Sequence, residues 1–251
     1  MSNYVVHEEE YKGLTIKILP DDDPQSCDPM EWDMLGKQMY WHRRMNLGHG
    51  YKETRKYDVQ EWLQMEVVAN CWKHLEEDKK YIAWAIEQER DNYNADIDSY
   101  IENGMSMQDL WEAFEKYNLV IPVHAYEHGG ITISASGRRA GWDSFDSGQL
   151  GFVYVSHEDI KKNFSAVYIT KFILDKAEKF LIAEVAAYDS YLRGEVYGYQ
   201  ILDENGDELE SCWGFLGDYD ENCLVEAKSQ ADWWANKIDE DLKELDKRMV
   251  G

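Results

Sequence analysis

The sequence predicts an α+β protein with a mostly antiparallel sheet, long helices and a helical insertion. Three observations carry this. Short β-rich runs occur at 4–19, 38–42, 120–155 and 196–215. Segments with apolar residues at helical spacing separate them, at 58–118, 165–192 and 224–249. Asn205-Gly206 between two β-rich runs signals a hairpin, which makes its strands antiparallel. The expected division is an α+β core of 1–57 and 119–251, with 58–118 as a helical insertion on one side.

Taken in order, residues 4–6 and 14–19 read as strands joined at Lys12-Gly13. Leu14, Ile16 and Ile18 alternate with Thr15 and Lys17, the period of a half-buried strand. A loop rich in Pro and Asp follows at 20–30, where neither a helix nor a central strand survives. Gly36, Gly48 and Gly50 argue against a long helix in 31–57, which reads as a short turn, a β-like 38–42 and a Gly-rich loop. Asp58 with Glu61 three residues later is a capping-box pattern, opening a helix that carries Trp62, Leu63, Val67, Ala69 and Trp72 to about Leu75. A second helix reads from about 79 to 92, and the two could be continuous. Ser106 with Asp109 opens a third, carrying Leu110, Trp111, Phe114 and Tyr117.

Strands follow at 120–126, 131–136 and 150–155, then a short helical turn capped by Ser156. A long helix is expected from Ser165 to about Leu192, with Ile169, Phe172, Ile173, Ala177, Phe180, Leu181, Glu184 and Tyr188 on a broad face. Arg193-Gly194 ends it as a C-cap. Runs at 196–204 and 207–215 form the hairpin, its Asn205-Gly206 turn expected to be type I′, and a last helix covers roughly 224–249.

The chain has 251 residues, 44% of them hydrophobic and 14% aromatic, enough for a real core. Twenty-six basic residues against 50 acidic ones give a net charge of −24. Such a chain repels nucleic acid and anionic membranes and attracts basic surfaces. One reading is a solvated acidic surface; the sharper one is a basic partner such as a nucleic-acid-binding protein. The N-terminal residues lack the basic and apolar regions of a secretory signal, and no run of about 18 apolar residues suits a membrane span. Cys27, Cys71, Cys212 and Cys223 are scattered without a Cys-x-x-Cys, as in reduced cytoplasmic thiols. There is no Gly-x-Gly-x-x-Gly, no phosphate-binding Walker loop, no Gly-x-Ser-x-Gly and no nucleophilic Cys signature, so no cofactor is expected and the reading leans away from an enzyme.

Several side-chain sets could still carry chemistry. The stretch 126–156 holds Arg138, Arg139, Trp142, Asp143 and Asp146 in a Gly-rich loop between β-rich runs. His42-Arg43-Arg44 with His49, together with Glu127-His128, Asp33 and Asp143, offers the residue types of a metal-dependent hydrolase, or of a site where His42 is a base. The alternative is structural histidines. Arg43, Arg44, Arg138 and Arg139 suit a phosphate or carboxylate, or else neutralise Asp33, Asp143 and Asp146. The pocket reading therefore names His42, Arg43, His128, Arg138 and Asp143. Asp218, Asp220 and Asn222, with Glu226, offer oxygen ligands at alternating positions, but without the Gly and Glu of an EF-hand loop the acids suit a helix N-terminus better.

The C-terminal part is the most acidic: residues 200–251 hold 15 acidic and 5 basic residues, net −10. Asp239, Glu240, Asp241 and Glu244, then Glu76, Glu77 and Asp78, are the expected partner-binding residues. Carboxylates spaced along rigid helices can imitate nucleic acid, which carries one charge per about 1.7 Å of duplex axis. A solvated helical face is the alternative.

Three blocks resemble a family of acidic proteins encoded by phages, prophages and plasmids. The first is Glu31-Trp-Asp-Met-Leu-Gly36 continuing to His42-Arg-Arg-Met-Asn-Leu-Gly48. The second is Tyr126-Glu-His-Gly-Gly-Ile-Thr-Ile-Ser134 with Asp146-Ser-Gly-Gln-Leu-Gly-Phe-Val-Tyr-Val-Ser156. The third is Tyr197-Gly-Tyr199 with Ser211-Cys-Trp-Gly-Phe-Leu-Gly-Asp218. Met34 stands where the family has Asn, His49 where it has Asp, and Trp142-Asp-Ser-Phe splits a Trp-Asp-Ser-Gly run. The resemblance implies a mobile-element protein in the host cytoplasm, where acidic proteins often inhibit host defence, anti-CRISPR proteins among them. The expected partner is a host nucleic-acid-binding defence protein with a basic surface, with no direct nucleic acid and no membrane. The tryptophans leave a homo-oligomer as a further option.

Overall fold

A computed structural model describes residues 4–70, 79–90, 96–135 and 148–250. The strands are β1 His7–Tyr11, β2 Leu14–Pro20, β3 Lys37–Tyr40, β4 Asn118–Glu127, β5 Ile131–Ala135, β6 Gln149–Ser156, β7 Val196–Leu202 and β8 Glu208–Leu216. The main helices are α1 Tyr51–Lys56, α2 Val59–Asn70, α3 Lys79–Arg90, α4 Met107–Glu115, α5 His157–Asn163, α6 Lys171–Leu192 and α7 Cys223–Val250. The fold is α+β, and all strand pairs are antiparallel. The strands form two four-stranded sheets, β1-β2-β7-β8 and β3-β6-β4-β5. Contacts divide the chain into Met1–Trp32 with Ala187–Gly251, and Asp33–Ala186. This differs from the expected core of 1–57 and 119–251: the helices of 58–118 fall in the same unit as β3 to β6.

In the unit of the two chain ends, Leu14, Ile16 and Ile18 of β2 and Tyr199 and Ile201 of β7 form one buried face. Leu224, Ala227 and Ala231 of α7 close it, with Trp234, Ala235 and Ile238 packed at the margin. The spacing of those residues is the helical repeat that the sequence shows. The first strand lies at 7–11 rather than 4–6, because the tight turn at Lys12-Gly13 sets Tyr11 opposite Leu14. The turn between β7 and β8 is not type I′: Gly206 has φ +84° but Asn205 is not among the residues of positive φ. Instead the Asp203 carboxylate accepts from the Asn205 and Asp207 N–H groups, at 2.8 and 2.9 Å, and holds a longer loop.

In the other unit, α2 and α4 cover one face of the sheet. Trp62, Leu63 and Val67 of α2 and Leu110, Trp111 and Phe114 of α4 are buried with Phe152 and Tyr154 of β6. Trp62 and Phe152 lie 5.4 Å apart between ring centroids, and Trp111 and Phe152 5.1 Å. Removing one such aromatic typically costs about 3–5 kcal/mol. The expected caps form. Asp58 and Glu61 exchange side-chain to backbone bonds, as do Ser106 and Asp109. Whether α2 and α3 are continuous lies outside the described residues. Helix α1 is an addition to the sequence reading, since Gly48 and Gly50 mask its start. Helix α6 begins at Lys171, not Ser165, whose φ of +49° is incompatible with a helix. Phe172 and Phe180, expected on its packed face, are exposed.

Candidate functional site

Three places carry the chemistry that the sequence offers: a His–Glu–Arg cluster, a cavity around Glu66, and the acidic end of α7.

The first sits where β3 leaves the sheet beside the end of β4. Arg44 and Met45 donate their backbone N–H groups to His42 Nδ1, at 3.2 and 2.9 Å. With Nδ1 an acceptor, the neutral ring carries its proton on Nε2, which donates to Glu127 Oε1 at 2.8 Å. Arg44 donates to Glu127 Oε2 at 2.5 Å. The His42 hydrogen bond, then the Arg44 guanidinium, hold the Glu127 carboxyl below its ordinary range. Trp41, His42, Arg43, Arg44, Glu127 and Gln149 help to line a concavity of about 530 Å³.

This joins the first two motif blocks, which stand 85 positions apart in sequence at His42 and Glu127. Of the expected pocket set, His42 and Arg43 line the concavity. His128 does not; it is exposed at the β4–β5 turn, 6.1 Å from the Tyr126 ring. Arg138, Arg139, Trp142, Asp143 and Asp146 lie outside the described residues. His49 is structural, its Nδ1 accepting from the Gln38 N–H at 3.1 Å.

The second place was not marked in the sequence reading. Lys37, Glu66, Tyr117, Tyr154, His157 and Asp159 are among the residues that line a cavity of about 560 Å³. Burial pushes the Glu66 carboxyl up, against the pull of Lys37 and of the Asn70 amide, which donates at 2.8 Å. Burial pushes the His157 imidazole down, with Lys161 adding to it, and raises the Tyr154 hydroxyl. The cavity thus favours the uncharged form of all three. Glu66 is one of two acids on α2, and only the folding of α2 beside β6 distinguishes it.

A related carboxylate is structural. Glu184 of α6 accepts from the Leu35 N–H at 2.6 Å and the Gly36 N–H at 3.0 Å. A Cβ on Gly36 would lie 2.4 Å from Leu181 and 2.7 Å from Val153. The Leu-Gly of the first block is therefore a backbone clamp, not a reaction centre.

The third place is α7 beyond Ile238. Every residue from 239 to 248 is exposed. Asp239 pairs with Lys243 at 3.4 Å and Glu244 with Arg248 at 2.6 Å, one helical turn on. Glu76, Glu77 and Asp78 lie outside the described residues. The charge is unevenly divided: 1–32 with 187–251 hold 25 acidic and 8 basic residues, hence −17, against 25 and 18 in 33–186, hence −7. In the acidic unit, Lys12, Lys17, Arg193 and Lys228 are themselves paired with carboxylates.

Among the described residues, no three His, Cys, Asp or Glu side chains are grouped to hold a metal ion. Among them, too, no helix is long and apolar enough to cross a membrane. No family model, curated protein or solved structure matches the chain.

Proposed function

We propose that the protein is an acidic inhibitor of mobile-element origin that binds a basic, nucleic-acid-handling defence protein in the host cytoplasm and occludes its nucleic-acid groove. The observation that carries this reading is the −17 concentrated in the unit of 1–32 and 187–251. Six of its eight bases, Lys12, Lys17, Arg193, Lys228, Lys243 and Arg248, are already paired internally, which leaves a surplus of carboxylates on the unit. Asp239, Glu240, Asp241 and Glu244 offer part of the contact on an exposed helix. Because Asp239 and Glu244 share their charge with Lys243 and Arg248, mimicry draws on the whole unit rather than on this helix end alone.

The test is a pull-down from host lysate with the tagged chain, washed at low and high salt and challenged with duplex DNA. A stoichiometric basic partner that salt elutes and DNA displaces supports the reading. A partner that DNA leaves in place sinks the mimicry, and equal capture by a variant with Asp239, Glu240, Asp241 and Glu244 changed to Ser removes the end of α7 from the contact.

A second reading takes the concavity of His42, Arg43, Arg44 and Glu127 as a small-molecule or metal-dependent site. What favours it is that two separately conspicuous motif blocks line it together. Both nitrogens of His42 are occupied, so the ring orients Glu127 rather than acting as a free base. Titration with phosphate and simple carboxylates, followed by amide shifts of Arg43 and Arg44, tests it; unmoved amides remove it.

A further inference from the structure

The cavity beside Glu66 serves neither functional reading, and its wall holds a donor that nothing answers. The residues that line it all fall in the unit of 33–186. Its volume of about 560 Å³ lies within the range of about 300–1,000 Å³ in which small molecules bind. The sheet supplies one wall. Register sets Lys37 of β3 directly opposite Tyr154 of β6, so the two side chains leave the same face as neighbours. Glu66 comes from α2, close enough to couple electrostatically to both.

Tyr154 is only 7% exposed. Trp62 and Phe114 clamp its ring, at centroid distances of 5.7 and 5.1 Å, so the hydroxyl cannot swing away. Among the described residues that hydroxyl has no hydrogen-bond partner, although a buried Tyr hydroxyl ordinarily finds one. Glu66 and Asp159, whose charges act on it, also line the cavity, which puts the hydroxyl on the cavity side. Two further groups stand open there among the described residues. Glu66 Oε2 accepts from the Asn70 amide at 2.8 Å, while Oε1 has no partner. The His157 N–H donates to the Tyr117 carbonyl at 2.8 Å and fixes the start of α5, while the half-buried imidazole is unbonded.

These open groups share a chemistry. A phenol, a neutral imidazole and a carboxylic acid each both donate and accept, and burial favours those uncharged forms of His157 and Glu66. The other charges on the wall cancel, Lys37 and Lys161 against Glu158 and Asp159. Such a wall favours neither an anion nor a cation. A ligand with several hydroxyls on a ring answers each open group, since every hydroxyl can also donate or accept. We propose that the cavity formed by α2, β3, β6 and the start of α5 binds an uncharged, polyhydroxylated ring compound, a sugar or the ribose of a nucleoside, held by Tyr154, Glu66 and His157. The site is independent of the inhibitor reading, whose charge lies in the other unit.

The experiment follows backbone amide shifts of the full chain at neutral pH during titration with methyl glycosides of the common hexoses, with adenosine and uridine, and with inorganic phosphate as the charged comparison. Saturable shifts at Asn118, Ser156 and His157 are expected with a glycoside or a nucleoside, and the arm that titrates tells the two sources apart. Tyr154→Phe keeps the ring and its packing, so it weakens this binding by about three- to tenfold. The free variant melts no lower than the parent, since no protein hydrogen bond is lost. Glu66→Ala lies outside the aromatic core, weakens binding by a similar factor, and serves if Tyr154→Phe does not fold. Amides at 118 and 156–157 that stay still with every glycoside and nucleoside at millimolar concentration overturn the proposal. So do shifts there with phosphate alone, which would make the site one for anions. Undiminished binding by Tyr154→Phe overturns it as well, as does a Phe variant that melts lower, which would mean that the hydroxyl is answered within the protein.

Discussion

His42 donates to Glu127 across 85 positions of sequence, at 2.8 Å, while its other ring nitrogen accepts two backbone N–H groups. This bond fixes the tautomer. Long-range nitrogen–proton correlation spectra should show Nε2 protonated and Nδ1 as an acceptor at neutral pH. A ring protonated on Nδ1 would contradict the geometry. Because Glu127 sits below its ordinary range, its contribution to stability is present above about pH 4.3 and is lost as the pH falls through its lowered value. Glu127→Ala should remove that acid-limb dependence and change the Arg44 and Met45 amide shifts.

Glu184 is the next test, because its two backbone bonds hold the segment before β3. Glu184→Ala leaves the Leu35 and Gly36 N–H groups without their acceptor, a loss of about 2 kcal/mol. Gly36→Ala drives a methyl into Leu181 and Val153 and should cost about 1–3 kcal/mol. Urea denaturation checks both: the midpoint moves and the slope does not. An unshifted midpoint for Gly36→Ala would mean that α6 does not approach β3 as closely as the structure has it.

What was readable in the sequence follows from which interactions are local. The Asp58–Glu61 and Ser106–Asp109 caps, the Gly194 helix end and the alternation in 14–18 were legible, since each is decided within a few residues. The division of the strands between two sheets was not, because β2 with β7 and β3 with β6 pair across more than a hundred positions of sequence. The Asn205-Gly206 signal located the hairpin but misassigned its turn, since Asp203 competes for the same N–H groups. At the candidate site, His42 and Arg43 were marked by type, while their partner Glu127 was read only as a neighbour of His128. Glu66 passed unmarked, and Glu184 was placed on the packed face of its helix but not as a perturbed carboxylate: in a chain with 50 acids, only tertiary burial tells a perturbed carboxylate from a solvated one.

The Glu66 cavity predicts opposite pH dependences from two groups that line it. Glu66 has its folded value raised, so its contribution is full below about pH 4.3 and is lost as the pH climbs through that raised value. Glu66→Gln should therefore raise stability at neutral pH and leave it unchanged in acid. His157 has its folded value lowered, so its contribution is present above about pH 6.5 and is lost as the pH drops through the lowered value. His157→Gln should flatten that fall. Melting curves between acid and neutral pH separate the two. A Glu66→Gln variant less stable at neutral pH would show that the charged carboxylate is held by Lys37 more strongly than burial opposes it.

The distribution of charge makes a kinetic prediction about the proposed partner. Long-range attraction reads the whole unit, so changing Asp239, Glu240, Asp241 and Glu244 to Ser takes it from −17 to −13. Association with the purified partner should slow at low salt. The difference should fade toward high salt, as the screening length falls from about 10 Å at 0.1 M to about 3 Å at 1 M. Neutralising Asp21, Asp22 and Asp23 to Ser in the same unit gives the control. If α7 touches the partner, its four substitutions also speed dissociation, whereas the 21–23 set changes only the association rate. Equal effects of both sets on association, with dissociation untouched, would make α7 a source of attraction and move the contact elsewhere on the acidic unit.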